Sequence, residues 1–194
     1  MEISKTLYVK NRGQWRAWLE KNHSTENEIW LVYYNKKSGK ASMTHSDGVE
    51  EALCFGWIDS TRKSIDKDRS AQRFTPRRKN SNLSELNKER VQRLIKSGMM
   101  KSAGLDSIRH HFDKRSKELS ASTELKKFKL PKDILAELRK DPVVWKNFKK
   151  FPEYYQHIRI GFIDNSRNRP EFFRKRLDYF LKMTARNKKY GTIK

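Results

Sequence analysis

The segment EIWLVYY, residues 28 to 34, constrains this chain more than any other feature. Six consecutive apolar or aromatic residues are too few for an ordinary helix and carry no polar alternate positions, so they read as a strand covered on both faces. In a chain of 194 residues of which 35% are charged, such a strand stays dry only within a layered structure. Eleven per cent aromatic residues, including five Trp, give enough apolar mass for that core despite the charge.

The flanking segments supply the layers. A short extended piece at Leu7 to Val9 precedes GQWRAWLEKN, where Trp15, Trp18 and Leu19 recur at helical spacing up to Asn22. After a polar loop containing Gly39, Ser46 or Asp47 is placed to cap a helix that carries Val49, Ala52, Leu53 and Phe55 and stops at Gly56. WIDSTRKSID, KDRS and AQRFTPRR then read as a hairpin, with Pro76 confining the second strand to an edge or an end. Asn82 with Glu85 has the spacing of a capping box before the stripe Leu86, Val91, Leu94, Ile95, ending at Gly98. A further helix is expected over residues 103–117. Pro131, Pro142, Pro152 and Pro170 then punctuate four short helices, the last with Phe173, Leu177, Phe180, Leu181 and Thr184 on one face. The expected class is α+β: a mixed α/β part with a small sheet and hairpin over residues 1–118, a linker at 119–129, and a helical bundle over 130–194.

The net charge of +22 is unevenly spread. Residues 1–60 carry 8 basic and 8 acidic side chains, residues 61–119 carry 17 and 7, and residues 120–194 carry 20 and 8. A neutral first third followed by a basic remainder implies a polarised surface with a polyanionic partner: nucleic acid, a phosphorylated small molecule or an anionic lipid surface. A solvated lysine face is the alternative. One cysteine excludes an intrachain disulfide and a zinc site of three or four thiolates. The N-terminal residues lack the pattern of an export signal, and no apolar stretch reaches 18 residues, so a cytoplasmic protein without a transmembrane segment is expected. No metal or cofactor is expected, and the common nucleotide, protease and hydrolase motifs are absent.

Candidate chemistry concentrates between Cys54 and Asn87. Cys54 lies near a helix C-terminus, where the dipole disfavours a thiolate, and reads as core packing with nucleophilic catalysis as the alternative. Asp59 shares its side of a strand with Trp57. It either lines a pocket beside the indole, as a general base or a grip on a cation, or pairs with Arg62, Arg73 or Arg77 across the hairpin. Arg73, Arg77 and Arg78 lead into Ser81 and Ser84 at a helix start, joining guanidinium forks to backbone N–H groups, the two usual means of holding an anion. Asn87, one turn in, lines the same site or satisfies backbone. His110 and His111 are expected on different helix faces, and Tyr154, Tyr155 and Phe162 in the core, with base-stacking platforms as the alternative.

The segments EALCFGWIDS (51–60), QRFTPRR (72–78), S-N-L-S-x-x-N (81–87) and L-x-x-x-G-M-M-x-x-x-G (94–104) follow one another as in the YdeI/OmpD-associated (bacteriocin-protection) family, which the chain closely resembles over residues 8–110. From LPKDILAEL onward the resemblance is looser. Leu83 stands where that family usually has Trp, and NRPEFFRKRL replaces its usual ETR-x-x-R arrangement. The resemblance implies a link to resistance against bacteriocins or cationic antimicrobial peptides and implies no reaction. The expected function is therefore a non-enzymatic anion-binding protein with a face at Trp57, Asp59, Arg73, Arg77, Arg78, Ser81, Ser84 and Asn87. The alternatives are an enzyme built on Cys54, Asp59 and the arginines, and electrostatic nucleic-acid binding through the basic helical part.

Overall fold

Residues 2–112 and 128–191 are described by a computed structural model of the chain. They form two compact units: the first holds the described residues up to Leu83 and from Glu89 to 112, the second holds Ser84–Lys88 and residues 128–191. The expected linker falls largely on residues 119–127, outside the described residues.

In the first unit, β2 (Ile29–Tyr34) is flanked on one side by the parallel β1 (Thr6–Tyr8). On its other side runs the antiparallel β4 (Arg69–Pro76), and β3 (Trp57–Ser64) completes the order β1-β2-β4-β3. The sheet is thus mixed, and Ile29 to Tyr33 are all buried, as the unbroken apolar run requires. Pro76 ends β4, which is internal to the sheet; β3 is the edge, with an irregularity in its pairing between Asp59 and Arg62.

Register sorts the side chains. Ile29, Phe74 and Asp59 lie opposite one another, as do Leu31, Gln72 and Arg62, whereas Arg73 pairs with Trp30 on the other face. On the Ile29 face pack α1 (Arg12–Asn22), α2 (His45–Cys54), the part of α3 (Glu85–Lys96) from Glu89 onward, and α4 (Ser102–Ile108), burying Trp15, Leu19, Leu53, Trp57, Leu83, Val91 and Ile108 in one cluster. The buried indoles keep hydrogen-bond partners: Trp15 Nε1 donates to the Gly48 carbonyl and Trp57 Nε1 to the His23 carbonyl, each at 3.0 Å.

Several local expectations are corrected. The cap of α2 is Thr44, whose side chain accepts from the Asp47 amide, not Ser46 or Asp47. At the start of α3 the accepting hydroxyl is that of Ser84, 3.3 Å from the Asn87 amide, in place of an Asn82–Glu85 box. The helix expected over 103–117 is the shorter α4 followed by a 3-10 turn, Arg109–His111; residues 113–117 lie outside the described residues.

The second unit contains α5 (Lys132–Arg139), α6 (Pro142–Lys150), α7 (Glu153–Asp164) and α8 (Pro170–Ala185) around Ile134, Leu138, Phe148, Tyr155, Ile163, Leu177 and Phe180. Asp141 caps α6, accepting from the Val143 amide at 2.7 Å, with Pro142 in the first turn. Asn147 Nδ2 donates to the Thr184 and Ala185 carbonyls at 3.0 and 3.2 Å, joining α6 to the end of α8. Among the described residues no helix is long and apolar enough to cross a membrane. A mixed four-stranded sheet followed by helices makes the chain α+β.

The glycines of the 94–104 segment do separate jobs. Gly98 adopts φ +67° after α3 with open space where a Cβ would stand, whereas a Cβ on Gly104 would lie 2.3 Å from the Cys54 carbonyl oxygen and 2.7 Å from that of Leu53. Gly104→Ala is therefore expected to destabilise the protein by about 3 kcal/mol, since overpacking costs roughly 1–3 kcal/mol and here the opposing atoms are backbone. Gly98→Ala, which suffers only left-handed strain, should cost about 1 kcal/mol. Urea denaturation of the two variants beside the wild type measures the difference, and equal losses would refute the close approach of α4 to α2.

Candidate anion-binding site

Where α2 ends, Gly56 (φ +75°) turns the chain into β3, and its carbonyl accepts from the Arg77 amide at 2.8 Å. That bond fixes the backbone of Arg77 just past the end of β4. The Arg77 side chain is only 8% exposed. Its Nη1 donates to Ser81 Oγ and to the Asn82 carbonyl, both at 3.1 Å, while Nε and Nη2 are buried with no partner among the described residues. Burial pulls its pKa down, opposed by the charge of Asp59. A guanidinium so desolvated, with two of its nitrogens uncommitted, is an expensive arrangement for a protein to keep.

Ser81 is held from two sides. Its hydroxyl receives Arg77, and its carbonyl lies 3.1 Å from His110 Nε2 and 3.0 Å from His111 Nε2. The two imidazoles, 4.0 Å apart, thus converge on one acceptor rather than diverging on two helix faces, because they sit in a 3-10 turn. The turn from Arg78 to Ser81, with Asn80 at φ 59°, is thereby anchored to the end of the first unit. Arg78 itself is exposed.

Asp59 does not pair directly with Arg62, Arg73 or Arg77. Its Oδ2 lies 3.3 Å from His45 Nε2 and 3.5 Å from Gln72 Nε2, while Gln72 also donates to the Ser60 carbonyl at 2.9 Å. Arg62 is taken by Ser70 Oγ at 2.8 Å, and Arg73, on the opposite face of β4, forms an ion pair with Glu28. Trp57 is enclosed in the core, edge-on to Trp18 at 5.8 Å. Ser84 and Asn87 belong to the stretch Ser84–Lys88 of the second unit, where they bond to each other. Of the residues singled out in sequence, Asp59, Arg77, Arg78 and Ser81 therefore share a region of the first unit, and Arg73 is spent elsewhere.

Three contributors were not foreseen. His45 reaches Asp59 from the first turn of α2. Tyr33, 4% exposed, buries a hydroxyl with no partner among the described residues; burial, then the charge of Asp59, pushes its pKa up. Gly48 makes room for that hydroxyl, since a Cβ there would stand 2.2 Å from Tyr33 Oη. Arg90 of α3 donates to Ser46 Oγ at 3.3 Å and is lowered by burial, with Glu50 and Asp59 opposing. A tyrosine late in an apolar strand, and an arginine beside the core residue Val91, look like ordinary amphipathic edges, so only the fold brings the phenol and the guanidinium under the influence of Asp59.

Cys54 is fully buried at the last position of α2, and burial, followed by the charge of Glu51, pushes its thiol up to about 11. That is the environment of a packing residue. Among the described residues no group of three or more His, Cys, Asp or Glu could hold a metal ion.

The first unit thus carries a buried arginine with two nitrogens unpartnered among the described residues, under the electrostatic influence of Asp59, a carboxylate beside an imidazole. Residues 7–107, more than half of the chain, match the family of a domain of unknown function, DUF8412. Residues 127–187 match the family described as bacteriocin-protection, YdeI or OmpD-associated. The chain belongs to the first family through its sheet-containing part, and its helical part is similar to the YdeI/OmpD-associated family. The resemblance noted in sequence therefore holds, but the match falls on the helical part, where the likeness looked looser. No curated protein and no solved structure matches the chain.

The thiol gives a pH prediction. Its folded pKa lies above the 9.0 of an unperturbed thiol, so its contribution to stability is complete below pH 9 and is lost as the pH rises towards 11. The denaturation midpoint should fall across that window in the wild type and fall less in Cys54→Ala. Iodoacetamide should label Cys54 only on unfolding; rapid labelling of the native protein at neutral pH would remove the packing assignment.

Proposed function

We propose that the protein binds a small molecule bearing a phosphate or carboxylate, through Arg77 with Arg78, Ser81 and Asp59, and that this binding serves resistance to bacteriocins or antimicrobial peptides. The observation that carries the reading is the buried Arg77 fork with two unpartnered nitrogens. Adjacent guanidinium donors match two oxygens of one anion, and charge-assisted bonds of this kind are the strong ones. Asp59 and His45, 3.3 Å apart, supply an acceptor and a donor for a polar group elsewhere on the same ligand. The description of the C-terminal family supports the protective role. The buried thiol supports binding over nucleophilic catalysis.

The His45–Asp59 pair also favours a second reading, an enzyme using the pair for proton transfer on the anion held by Arg77.

Calorimetric titration with inorganic phosphate and with sulfate tests the first reading. Arg77→Met should weaken binding about 10- to 100-fold, the worth of charge-assisted hydrogen bonds, and leave the melting temperature unchanged or higher, because replacing a buried unpaired charge by an apolar side chain relieves desolvation. Arg78→Ala should weaken binding only a few-fold, its side chain being exposed. Wild-type phosphate affinity in Arg77→Met would overturn the assignment. A lowered melting temperature with intact binding would make the arginine a structural group.

A further inference from the structure

Tyr155 is buried, but Tyr154 and Phe162, expected in the core beside it, are exposed. Phe162 marks one wall of a groove of about 930 Å³ along α8, which is also lined by Phe172, Arg176, Tyr179, Lys182 and Tyr190. Phe162, Phe172 and Tyr179 are 44%, 51% and 48% exposed. Isolated exposed aromatics need no explanation, whereas three around one concavity mark an interaction surface.

The charges around the rings are specific in their placement. The Arg176 guanidinium lies 3.8 Å from the centroid of Phe162 and donates to the Phe162 carbonyl at 2.9 Å, in the last turn of α7. The Arg169 guanidinium lies 5.0 Å from the centroid of Phe172, and Tyr190 stands edge-on to Tyr179 at 4.9 Å. Arg174 is paired with Asp178 at 2.8 Å. Lys175, Arg176 and Lys182 have no carboxylate partner among the described residues. Rings half open to solvent, planar cations stacked on them and two unpaired ammonium groups about two turns apart along α8 form an alternating apolar and positive strip.

We propose that this groove binds single-stranded nucleic acid, with unpaired bases stacking on the aromatic and guanidinium planes and Lys175 and Lys182 meeting the phosphates. The charge is complementary to a polyanion: the groove has four cationic side chains against two carboxylates, one of them engaged by Arg174. Stacking asks for flat, partly exposed faces, which every base can use regardless of sequence. An anionic bilayer instead takes up apolar side chains from the raised face of an amphipathic helix, and here the rings line a hollow. Duplex nucleic acid offers no free base faces. The proposal uses residues of the second unit alone and stands apart from the small-anion reading of the first.

The test is fluorescence anisotropy of labelled oligo(dT) at graded salt, with the full-length protein. Phe172→Ala and Tyr179→Ala remove exposed rings, so both variants should keep the wild-type melt; each should weaken binding about tenfold, as for loss of one stacked base. They should leave the salt slope unchanged. Lys175→Gln with Lys182→Gln should lower the slope, by about 0.7 per lost phosphate contact on a single strand. An abasic strand of the same length should bind the wild type more weakly than oligo(dT) binds either ring variant, because it loses every stacked base. Equal affinity for abasic and normal strands, or wild-type affinity in both ring variants, would overturn the proposal. So would ring-dependent binding to phosphatidylglycerol vesicles without ring-dependent binding of oligo(dT), which would make the groove a lipid-facing surface. Arg77→Met should leave oligo(dT) binding intact, so the two sites fail or stand separately.

Discussion

A fully buried carboxylate, Glu51, holds the first unit in register. Arg12 and Arg16, one turn apart on α1, bracket it: Arg12 donates through Nε to one oxygen and Arg16 through Nη1 to the other at 2.7 Å. Neighbouring Glu50 extends the clamp, receiving Arg12 at 3.1 Å and pairing with Arg93 of α3, and Arg16 also holds the Met99 carbonyl at 3.1 Å. Burial lowers both α1 guanidinia, but Glu51 outweighs it and their pKa values are raised. Ion pairs like these add little net stability, yet removing one side strands the other in a dry interior. Their effect is positional. They set α2 against α1 and α3, which places Cys54 under Gly104 and brings Gly56 to the amide of Arg77.

The sequence made the elements legible because their signals are local. IWLVYY could only be an enclosed strand, the two halves of the hairpin flank a polar turn, and the prolines at 142 and 170 stand in the first turns of their helices. Less legible were the caps, since Thr44, Ser46 and Asp47 are all competent acceptors and backbone geometry alone selects Thr44. The candidate site was half legible. Asp59, Arg77, Arg78 and Ser81 lie within 23 residues of one another on one hairpin and its exit. His45, Tyr33 and Arg90 arrive from three other elements, through contacts that sequence spacing does not encode.

Strand parity explains why Arg73 and Arg77, alike in sequence, differ in role. Within β4, Arg73 points away from Phe74 and Gln72 and finds Glu28, the residue just before β2. Arg77 lies one residue past Pro76, where the chain has left the ladder, and its side chain returns beneath the turn it precedes. The basic hairpin is correspondingly less free than its charge suggests. Arg62 is held by Ser70 and Arg69 by Asp66, so its excess charge is largely committed to shaping the ribbon.

The two candidate sites handle positive charge in opposite ways, and that difference matches two kinds of anion. In the first, one guanidinium is withdrawn from water with its donors fixed in direction, a geometry that rewards a compact ligand with matching oxygens and gains strength from the low surrounding polarity. In the second, arginines lie on the outside of aromatic rings and the lysines extend into solvent, where each interaction is screened and weak, and affinity can come only from repetition along a polymer. Desolvated and few, or exposed and many, are the two ways a basic chain can hold negative charge. Among its described residues this one carries a candidate for each, on separate units built from different secondary structure.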